Sequence, residues 1–332
     1  MIRAENQDVA LHVVVTKAQS EFGSLSISLV CDGMGGLKSG KEAAAMAAAS
    51  FIASLIFDHQ FSPEMLDRAV RSADSAVYQH FQGKGGTTLS AVVTNDSNLS
   101  FAVHAGDSRI YEMNQEWDIS QVSNDDNLRG ALSAGQAIDA ELGSRLIQYI
   151  GMGDELEPHI FPINSSALRV LITTDGAHLV GNSMIRSVVR HCHDEVDAVR
   201  KLLNISEYIG GLDNASLLIA PTTITNDMTD NYPENFSIIK ILSPAESIQI
   251  WGTLPGPGVI RQSTGVDPVK PKAISEQVAL PKPSSEIEEK VDNKPKAPPK
   301  KRKAPLKAPE LDLEAPPKVS VEFPASGGET EK

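Results

Sequence analysis

The hydrophobic pattern of the first part of the chain predicts both strands and helices. Leu25, Ile27 and Leu29 alternate with smaller or polar residues, the period-two pattern of a strand with two different faces. Residues 9–16 are similarly strand-like, so the two segments predict a pair of neighbouring strands. Residues 39–56 are rich in alanine with larger apolar residues interspersed, which predicts a helix packed closely on a sheet.

The rest of the first 221 residues continues this mixture of elements. Ser62 followed by Pro63 is a helix start, and this helix is predicted to run to about Phe81. Further strands are predicted at residues 87–93, 99–104, 117–122 and 168–172. A long helix is predicted at residues 184–209, whereas residues 128–165 show only weak periodicity.

Acidic residues recur at the ends of the predicted strands. Asp32, Asp107 and Asp175 each follow an apolar run, Asp213 stands just before one, and Asp8 precedes the strand at residues 9–16. Carboxylates from several strand ends cannot share one cleft without cations, because like charges at close range oppose ionisation. Hard oxygen ligands suit magnesium or manganese and not zinc. The residues therefore predict a carboxylate site for several metal ions.

The Asp32–Gly33 pair on its own is weak support for this site. Asp-Gly is also common in hairpin turns, and repetition of the strand-end acid is what favours the functional interpretation. The glycines of this segment let the backbone turn sharply and bring its carbonyls close to a ligand.

Six short motifs in this order resemble those of the metal-dependent protein phosphatases, the PPM or type 2C serine/threonine phosphatases, and their bacterial branch in particular. They cover roughly residues 1 to 221. The motifs are Arg3-Ala-Glu-Asn6-Gln-Asp8, Asp32-Gly33-Met34-Gly35-Gly36, Gly86-Thr87-Thr88, Gly106-Asp107-Ser108-Arg109, Thr174-Asp175-Gly176 and Asp213-Asn214.

The resemblance implies an α+β fold, a four-layer α-β-β-α sandwich of two antiparallel sheets flanked by helices. The metal ions are expected in the cleft at one end of the sheets. Residues 1–225 are predicted to form the phosphatase domain, 226–261 a linker or short docking segment, and 262–332 a disordered tail rich in proline and lysine.

The resemblance also implies roles for the acids of these motifs. Asp32 is expected to bridge two ions, either Mn²⁺ or Mg²⁺, and the Gly33 backbone carbonyl to bind one of them. Asp175 and Asp213 are expected to bind the other ion, and Asp8 to hold metal-bound waters.

Two further residues complete the expected site. Asp107, together with Asp175, matches the position of a third and weaker metal site. Arg3 is expected to bind the substrate phosphate, which a guanidinium does with a two-pronged hydrogen bond. A metal-activated water would then attack phosphorus in line, without a covalent enzyme intermediate.

The implied function is hydrolysis of phosphoserine and phosphothreonine monoesters of proteins, opposing a protein kinase. The alternative from another class is a catalytically silent module that binds phosphorylated or regulatory proteins. A phosphatase acting on small molecules is a lesser alternative. The retained acids favour an enzyme, because a silent module has no reason to keep mutually repelling carboxylates together.

Several residues with chemical potential are instead predicted to be structural. His104 lies within an apolar strand and is expected to be a hydrogen-bonded core histidine. Asp126 replaces a histidine of the family pattern and is assigned no catalytic role. Residues 191–194, His-Cys-His-Asp, are expected to lie on a solvated helix face. Gly86-Thr87-Thr88 and Arg109 are expected to shape the sheet and the site loops.

Composition narrows the setting of this activity. The formal net charge of -13 argues against general nucleic-acid binding. No secretion signal and no membrane-spanning run is expected, and two cysteines are too few for a disulfide framework. A cytoplasmic location is the simplest prediction.

The last third of the chain has a different character. Residues 236–251 keep some apolar content and are left open between a strand, a helix and a docked segment. From residue 262 onwards twelve of the twenty prolines appear with one aromatic residue, Phe323, which predicts disorder. Seven basic and no acidic residues lie between Asn293 and Pro309, so this run is either a solvated spacer or a binding site for an acidic partner or an anionic surface.

Overall fold

The computed structural model describes residues 5–17, 23–34, 39–58, 61–132, 139–224 and 236–253. All of these belong to the first of two compact units, Met1–Thr264 and Gly265–Lys332. Arg3, Gly35, Gly36 and the tail at residues 262–332 lie outside the described residues. Predictions about them therefore stay predictions.

Two antiparallel sheets form the centre of the fold. The larger sheet has seven strands in the spatial order β11, β10, β1, β2, β3, β4 and β7, and the smaller has four in the order β6, β5, β8 and β9. In chain order these strands are Asp8–Lys17 (β1), Leu25–Asp32 (β2), Leu89–Asn95 (β3), Ser100–Ala105 (β4), Arg109–Met113 (β5), Ile119–Gln121 (β6), His159–Pro162 (β7), Arg169–Thr173 (β8), Leu217–Pro221 (β9), Phe236–Leu242 (β10) and Ser247–Thr253 (β11).

Helices cover the outer face of each sheet, and three apolar clusters separate the layers. One cluster joins the larger sheet to two long helices, the second lies between the sheets, and the third joins the smaller sheet to two further helices. The predicted α-β-β-α sandwich is thereby confirmed. The helices are Gly40–Phe57 (α1), Pro63–Phe81 (α2), Leu128–Ala131 (α3), Ala140–Gly143 (α4), Asp175–His178 (α5), Asn182–Val189 (α6) and Glu195–Tyr208 (α7).

Helix α1 is held against the larger sheet by small side chains. Ala43, Ala47, Phe51 and Leu55 are fully buried, and alanine lets the helix approach the strands closely. Within the described ranges α1 is the one helix whose length and hydropathy, 18 residues at 1.3, would suffice for a membrane span. The sequence interpretation expected no such run, and the buried face of α1 is what a core helix shows.

The region predicted as one long helix at residues 184–209 is instead two helices, and that prediction was wrong. Helix α6 ends at Val189, and α7 begins after Asp194, whose side chain accepts a hydrogen bond from the Asp197 amide at 2.7 Å. An aspartate that caps a helix start is a local signal that competes with helix continuation. His191 and His193 therefore lie in the connection between the helices.

Residues 236–253 form a hairpin that extends the larger sheet. Strand β10 pairs with β1 in antiparallel register, with Ile241 opposite Val13 and Ile239 opposite Val15, and β11 pairs with β10. Ile239 and Ile241 pack against the apolar cluster under α1 and α2. Strand β1, which begins with Asp8, thus has a neighbour on both sides.

Candidate active site

Asp8 and Asp32 lie directly opposite each other where β1 begins and β2 ends. The Thr174 hydroxyl donates to Asp8 Oδ2 at 3.0 Å, whereas Asp8 Oδ1 is buried and has no hydrogen-bond partner within the described ranges. Burial, helped by the charges of Asp175 and Asp213 and opposed by hydrogen bonds, raises the pKa of Asp8 to about 6. A buried carboxylate oxygen without a partner is costly unless a cation meets it.

Asp32 lies among three other acids whose charges act on it. Burial, followed by the charges of Asp8, Asp175 and Asp107, raises the pKa of Asp32 well above its usual value. The backbone of Asp32 is fixed by Thr88, whose Oγ1 accepts from the Asp32 amide at 2.9 Å and whose amide donates to the Asp32 carbonyl at 2.9 Å. The end of β2 therefore holds a carboxylate in place although its neighbours repel it.

Gly33 lies where three backbone segments come together. A Cβ added at Gly33 would lie 2.3 Å from the Gly40 carbonyl oxygen and 2.8 Å from the Gln7 carbonyl oxygen. Only a residue without a side chain fits between the start of α1 and the residue before Asp8. The requirement for glycine at this position thus comes from packing around the site.

Asp107 is carried by the loop between β4 and β5. Burial, followed by the charges of Asp175 and Asp125, raises the pKa of Asp107 to about 7. The preceding residue, Gly106, has φ +122° and is held by Asp126, whose Oδ2 accepts from the Gly106 amide at 3.0 Å and whose amide donates to the Gly106 carbonyl at 2.7 Å. This loop is therefore fixed by a buried acid.

Asp126 is a residue whose position in the site the sequence interpretation missed. It is 6 % exposed, and its Oδ1 lies 2.8 Å from His159 Nε2 on β7. Its side-chain oxygens thus contact the Gly106 amide and His159, and the prediction that Asp126 has no catalytic role stays a prediction. No pattern in the sequence indicated that this residue holds the backbone of Gly106, the residue before Asp107.

The segments of Asp175 and Asp213 are joined by close backbone packing. Asp175 is the first residue of α5, and a Cβ on the next residue, Gly176, would lie 2.0 Å from the Asn214 carbonyl oxygen. The Asn214 side chain in turn accepts from the Gln7 amide at 3.0 Å. These contacts bring the acids on the smaller sheet's side to the end of the larger sheet.

The structure thus brings together five of the predicted site residues, the acids Asp8, Asp32, Asp107, Asp175 and Asp213. Charges within this group raise the pKa values of Asp8, Asp32 and Asp107. The sixth predicted ligand, Gly33, adjoins them. In the described part of the chain no group of three acids, histidines or cysteines is arranged to hold a single ion. The acids therefore form a cluster of strand-end carboxylates that have not converged on a common point.

Other polar residues near the site have structural partners. Arg109 makes a bidentate ion pair with Asp125, with N–O distances of 2.8 Å and 2.7 Å. His104 is fully buried, with its ring nitrogens 2.9 Å from Ser90 Oγ and 2.8 Å from the Asn124 carbonyl oxygen. These contacts explain why the two side chains are retained without assigning them chemistry.

Comparison with known proteins gives one curated relative. A putative protein phosphatase of Mycoplasma pneumoniae is 34% identical over 149 residues, which are 40% of this chain and 53% of that protein. The chain thus spans about half the length of the curated relative it matches. No family model matches the chain.

Solved structures share the fold over a larger part of the chain. The PPM Ser-Thr phosphatase MsPP of Mycobacterium smegmatis, in complex with cacodylate, has a TM-score of 0.54 at 24% identity and covers 66% of this chain and 93% of its own. Stp1 of Staphylococcus aureus has a TM-score of 0.56 at 18% identity, covering 66% and 90%. The catalytic domain of PstP, a phosphatase of Mycobacterium tuberculosis, in complex with two manganese ions has a TM-score of 0.55 at 24% identity, covering 67% and 93%. The fold is that of PPM serine/threonine phosphatases.

Proposed function

We propose that this chain is a metal-dependent phosphoprotein phosphatase that hydrolyses phosphoserine and phosphothreonine monoesters and opposes a protein kinase. The observation that carries the proposal is the gathering of five strand-end carboxylates at one end of a sandwich with the PPM fold. Phosphatase relatives with the same fold, and the curated relative, support the same reaction class.

The chemistry of the carboxylate cluster fits divalent cations. Asp8 Oδ1 is buried without a hydrogen-bond partner in the described part of the chain, and the pKa values of Asp8 and Asp107 are raised to about 6 and about 7. Such acids are ionised at neutral pH only against the energetic cost of burial and repulsion, which a hard cation removes. The two manganese ions in the PstP structure support Mn²⁺ or Mg²⁺ here.

The roles that follow for individual residues form part of the proposal. Asp32 would bind two ions and the Gly33 carbonyl one of them, and Asp175 and Asp213 would bind the second. Asp8 would hold ordered water, and Asp107 would contribute to a third, weaker site. When bound, such ions lower the pKa of water and neutralise the charge of a phosphate.

The protein's own contribution is to position these groups and the substrate. Thr174 orients Asp8, and Thr88 fixes the backbone of Asp32. Arg3, five residues before Asp8 and outside the described residues, would bind the phosphate oxygens through its guanidinium and stabilise their charge in the transition state. Positioning of this kind lowers the activation barrier, because the reacting groups are already oriented when the reaction begins.

The location and the partners of the enzyme belong to the same proposal. The substrates would be phosphorylated proteins of the cytoplasm, including those of a cognate protein kinase. The basic, proline-rich run between Asn293 and Pro309 would bind an acidic partner and so place the enzyme near its targets.

Turnover of para-nitrophenyl phosphate and of a phosphothreonine peptide tests this function. The full chain, Asp175→Ala and the control Asp67→Ala, which removes an exposed acid on α2 paired with Arg71, would be assayed with manganese and then with EDTA. We expect manganese-dependent turnover that Asp175→Ala loses and Asp67→Ala keeps. No turnover by the pure, folded, metal-loaded chain would contradict the proposal and leave the silent binding module standing.

A further inference from the structure

The side chains of Met34 and Tyr149 meet next to the proposed site. A Cβ added at Gly86 would lie 2.7 Å from Met34 Sδ and 2.8 Å from Tyr149 Cδ2, so both side chains lie over the bare backbone of that glycine. The Met34 amide donates to the Gly86 carbonyl at 3.1 Å. Because Met34 follows Asp32 by two residues, this pair lies beside the strand end that carries the central carboxylate.

Tyr149 is less buried than the residue that follows it. Ile150 is fully buried and exchanges two backbone hydrogen bonds with Thr87, at 2.8 Å and 3.1 Å. Tyr149 and Met34 remain half-buried, so an aromatic ring and a thioether are partly open to a ligand beside Gly86.

The turn after Tyr149 is fixed by a carboxylate on α2. Asp74 accepts hydrogen bonds from the amides of Gly151 at 2.7 Å, Met152 at 2.9 Å and Gly153 at 3.0 Å. Three amides on one buried carboxylate hold a turn in one conformation. The tyrosine is therefore presented by a rigid segment, as a surface that discriminates between ligands requires.

We infer that Tyr149 and Met34 form an apolar contact surface for the substrate side chain next to the phosphorylated residue. The inference rests on the proposed phosphatase function and narrows it to phosphopeptides with an aliphatic or aromatic residue beside the phosphoserine or phosphothreonine. An aromatic ring and a thioether carry no charge, so they gain little from a polar neighbour and bury an apolar one favourably.

The test compares two phosphothreonine peptides that differ at one position, leucine or glycine beside the phosphothreonine. The measured quantity is the ratio of their kcat/KM values for the full chain, Tyr149→Ala and Tyr149→Phe. Tyr78→Ala is the control, because Tyr78 is an exposed tyrosine on α2 that lies beside Gly83 and Gly153 and not beside Gly86. Thermal unfolding checks that each variant is folded.

The full chain is expected to prefer the leucine peptide by about tenfold, the effect of burying part of one apolar side chain. Tyr149→Ala should abolish this preference, and Tyr149→Phe and Tyr78→Ala should keep it. A preference that survives in Tyr149→Ala, or an equal loss on both peptides, overturns the inference and leaves the phosphatase function intact. Absence of turnover of either peptide and of para-nitrophenyl phosphate by the full chain removes the proposed function and this inference with it.

Discussion

Asp8 and Asp32 are register partners on two adjacent strands, and the charge of Asp8 helps to raise the pKa of Asp32. Two half-buried acids face each other where a sheet normally places apolar or oppositely charged pairs, because like charges opposite each other destabilise a sheet. The metal-free fold therefore carries a local electrostatic strain. This strain has measurable consequences for stability and its pH dependence.

The raised pKa values of Asp8 and Asp107 are expected to make the metal-free protein less stable as pH rises. The pKa of Asp8 is raised from 3.8 to about 6 and that of Asp107 from 3.8 to about 7, so between these values the two acids bind more protons in the folded protein than in the unfolded chain. The stability that they contribute is fully present below about pH 3.8 and is lost as pH rises toward 7.

The buried His104 and His178 have lowered pKa values and contribute in the opposite direction. The measured quantity is therefore the difference in Tm between the unchanged chain and Asp8→Asn in EDTA, which should fall across this interval, and excess manganese should remove the fall. A difference that stays constant or rises with pH would contradict the prediction.

Thr174→Val should weaken metal activation. The Thr174 hydroxyl donates to Asp8 Oδ2 and also accepts from the Ser216 amide at 2.9 Å, so its loss frees the carboxylate to rotate. Removing a side chain that orients a metal ligand typically costs 10–100-fold in metal affinity or activity, and we expect the half-activating manganese concentration to rise by about tenfold.

A matched control for this variant lies one residue earlier. The Thr173 hydroxyl lies 3.0 Å from His178 Nδ1 instead of from an acid of the cluster. Thr173→Val therefore removes a buried threonine hydroxyl, as Thr174→Val does, but a hydroxyl with a different partner. Thr173→Val should leave the half-activating manganese concentration unchanged. Equal shifts in the two variants would show that Thr174 acts only through packing.

Gly176→Ala is expected to destabilise the fold and to abolish activity. The added methyl group would lie 2.0 Å from the Asn214 carbonyl oxygen, which is backbone and cannot move aside cheaply. Separation of the two segments should cost about 1–3 kcal/mol, as other overpacked positions do. Gly252→Ala, with nothing within 4 Å of its added Cβ, is the matched control. Thermal unfolding and turnover measured together check the expectation, and a fully active, unshifted Gly176→Ala would refute it.

Two truncations separate the tail from the sheet. A chain ending at Thr253 keeps every described strand and should retain both turnover and Tm. A chain ending at Ile224 lacks β10 and β11, so β1 loses six register pairs and the Ile239 and Ile241 contacts with the apolar cluster. Its Tm should fall by at least several degrees, because a 1 kcal/mol loss shifts Tm by about 2–4 °C in domains of this size. Equal Tm values for the two chains would speak against a stabilising role for the hairpin.

Local patterns were sufficient for the elements around the proposed site. The alternation from Leu25 to Leu29 and the alanine-rich run after Ser39 identified β2 and α1 to within about two residues. The acids of the cluster could be found because each stands at the end of an apolar run. Their gathering in one place is a property of the sheet order, which supplies the proximity that sequence alone could only suggest.

The features that sequence reasoning missed or left open depend on distant partners or on competing local signals. Whether residues 236–253 join the sheet is decided by the free edge of β1, more than 200 residues earlier, and no short-range pattern records that. The break before α7 has a local cause. Asp194 as the cap of a new helix is more favourable than Asp194 inside one continuous helix. The role of Asp126 was not predicted because its side chain accepts a hydrogen bond from the Gly106 backbone, and a contact of this kind leaves no pattern in the sequence.

The placement of β1 between β2 and β10 has a consequence for biosynthesis. The strand that carries Asp8 is synthesised more than 200 residues before its outer neighbour, which is encoded up to Leu242. Pairings between such distant segments form slowly, because a long loop must close before the contacts are gained. Until then the nascent sheet has an unpaired edge on β1, a surface prone to wrong pairing with other chains. The larger sheet is therefore expected to be complete on this side of β1 only after residue 242 has been synthesised.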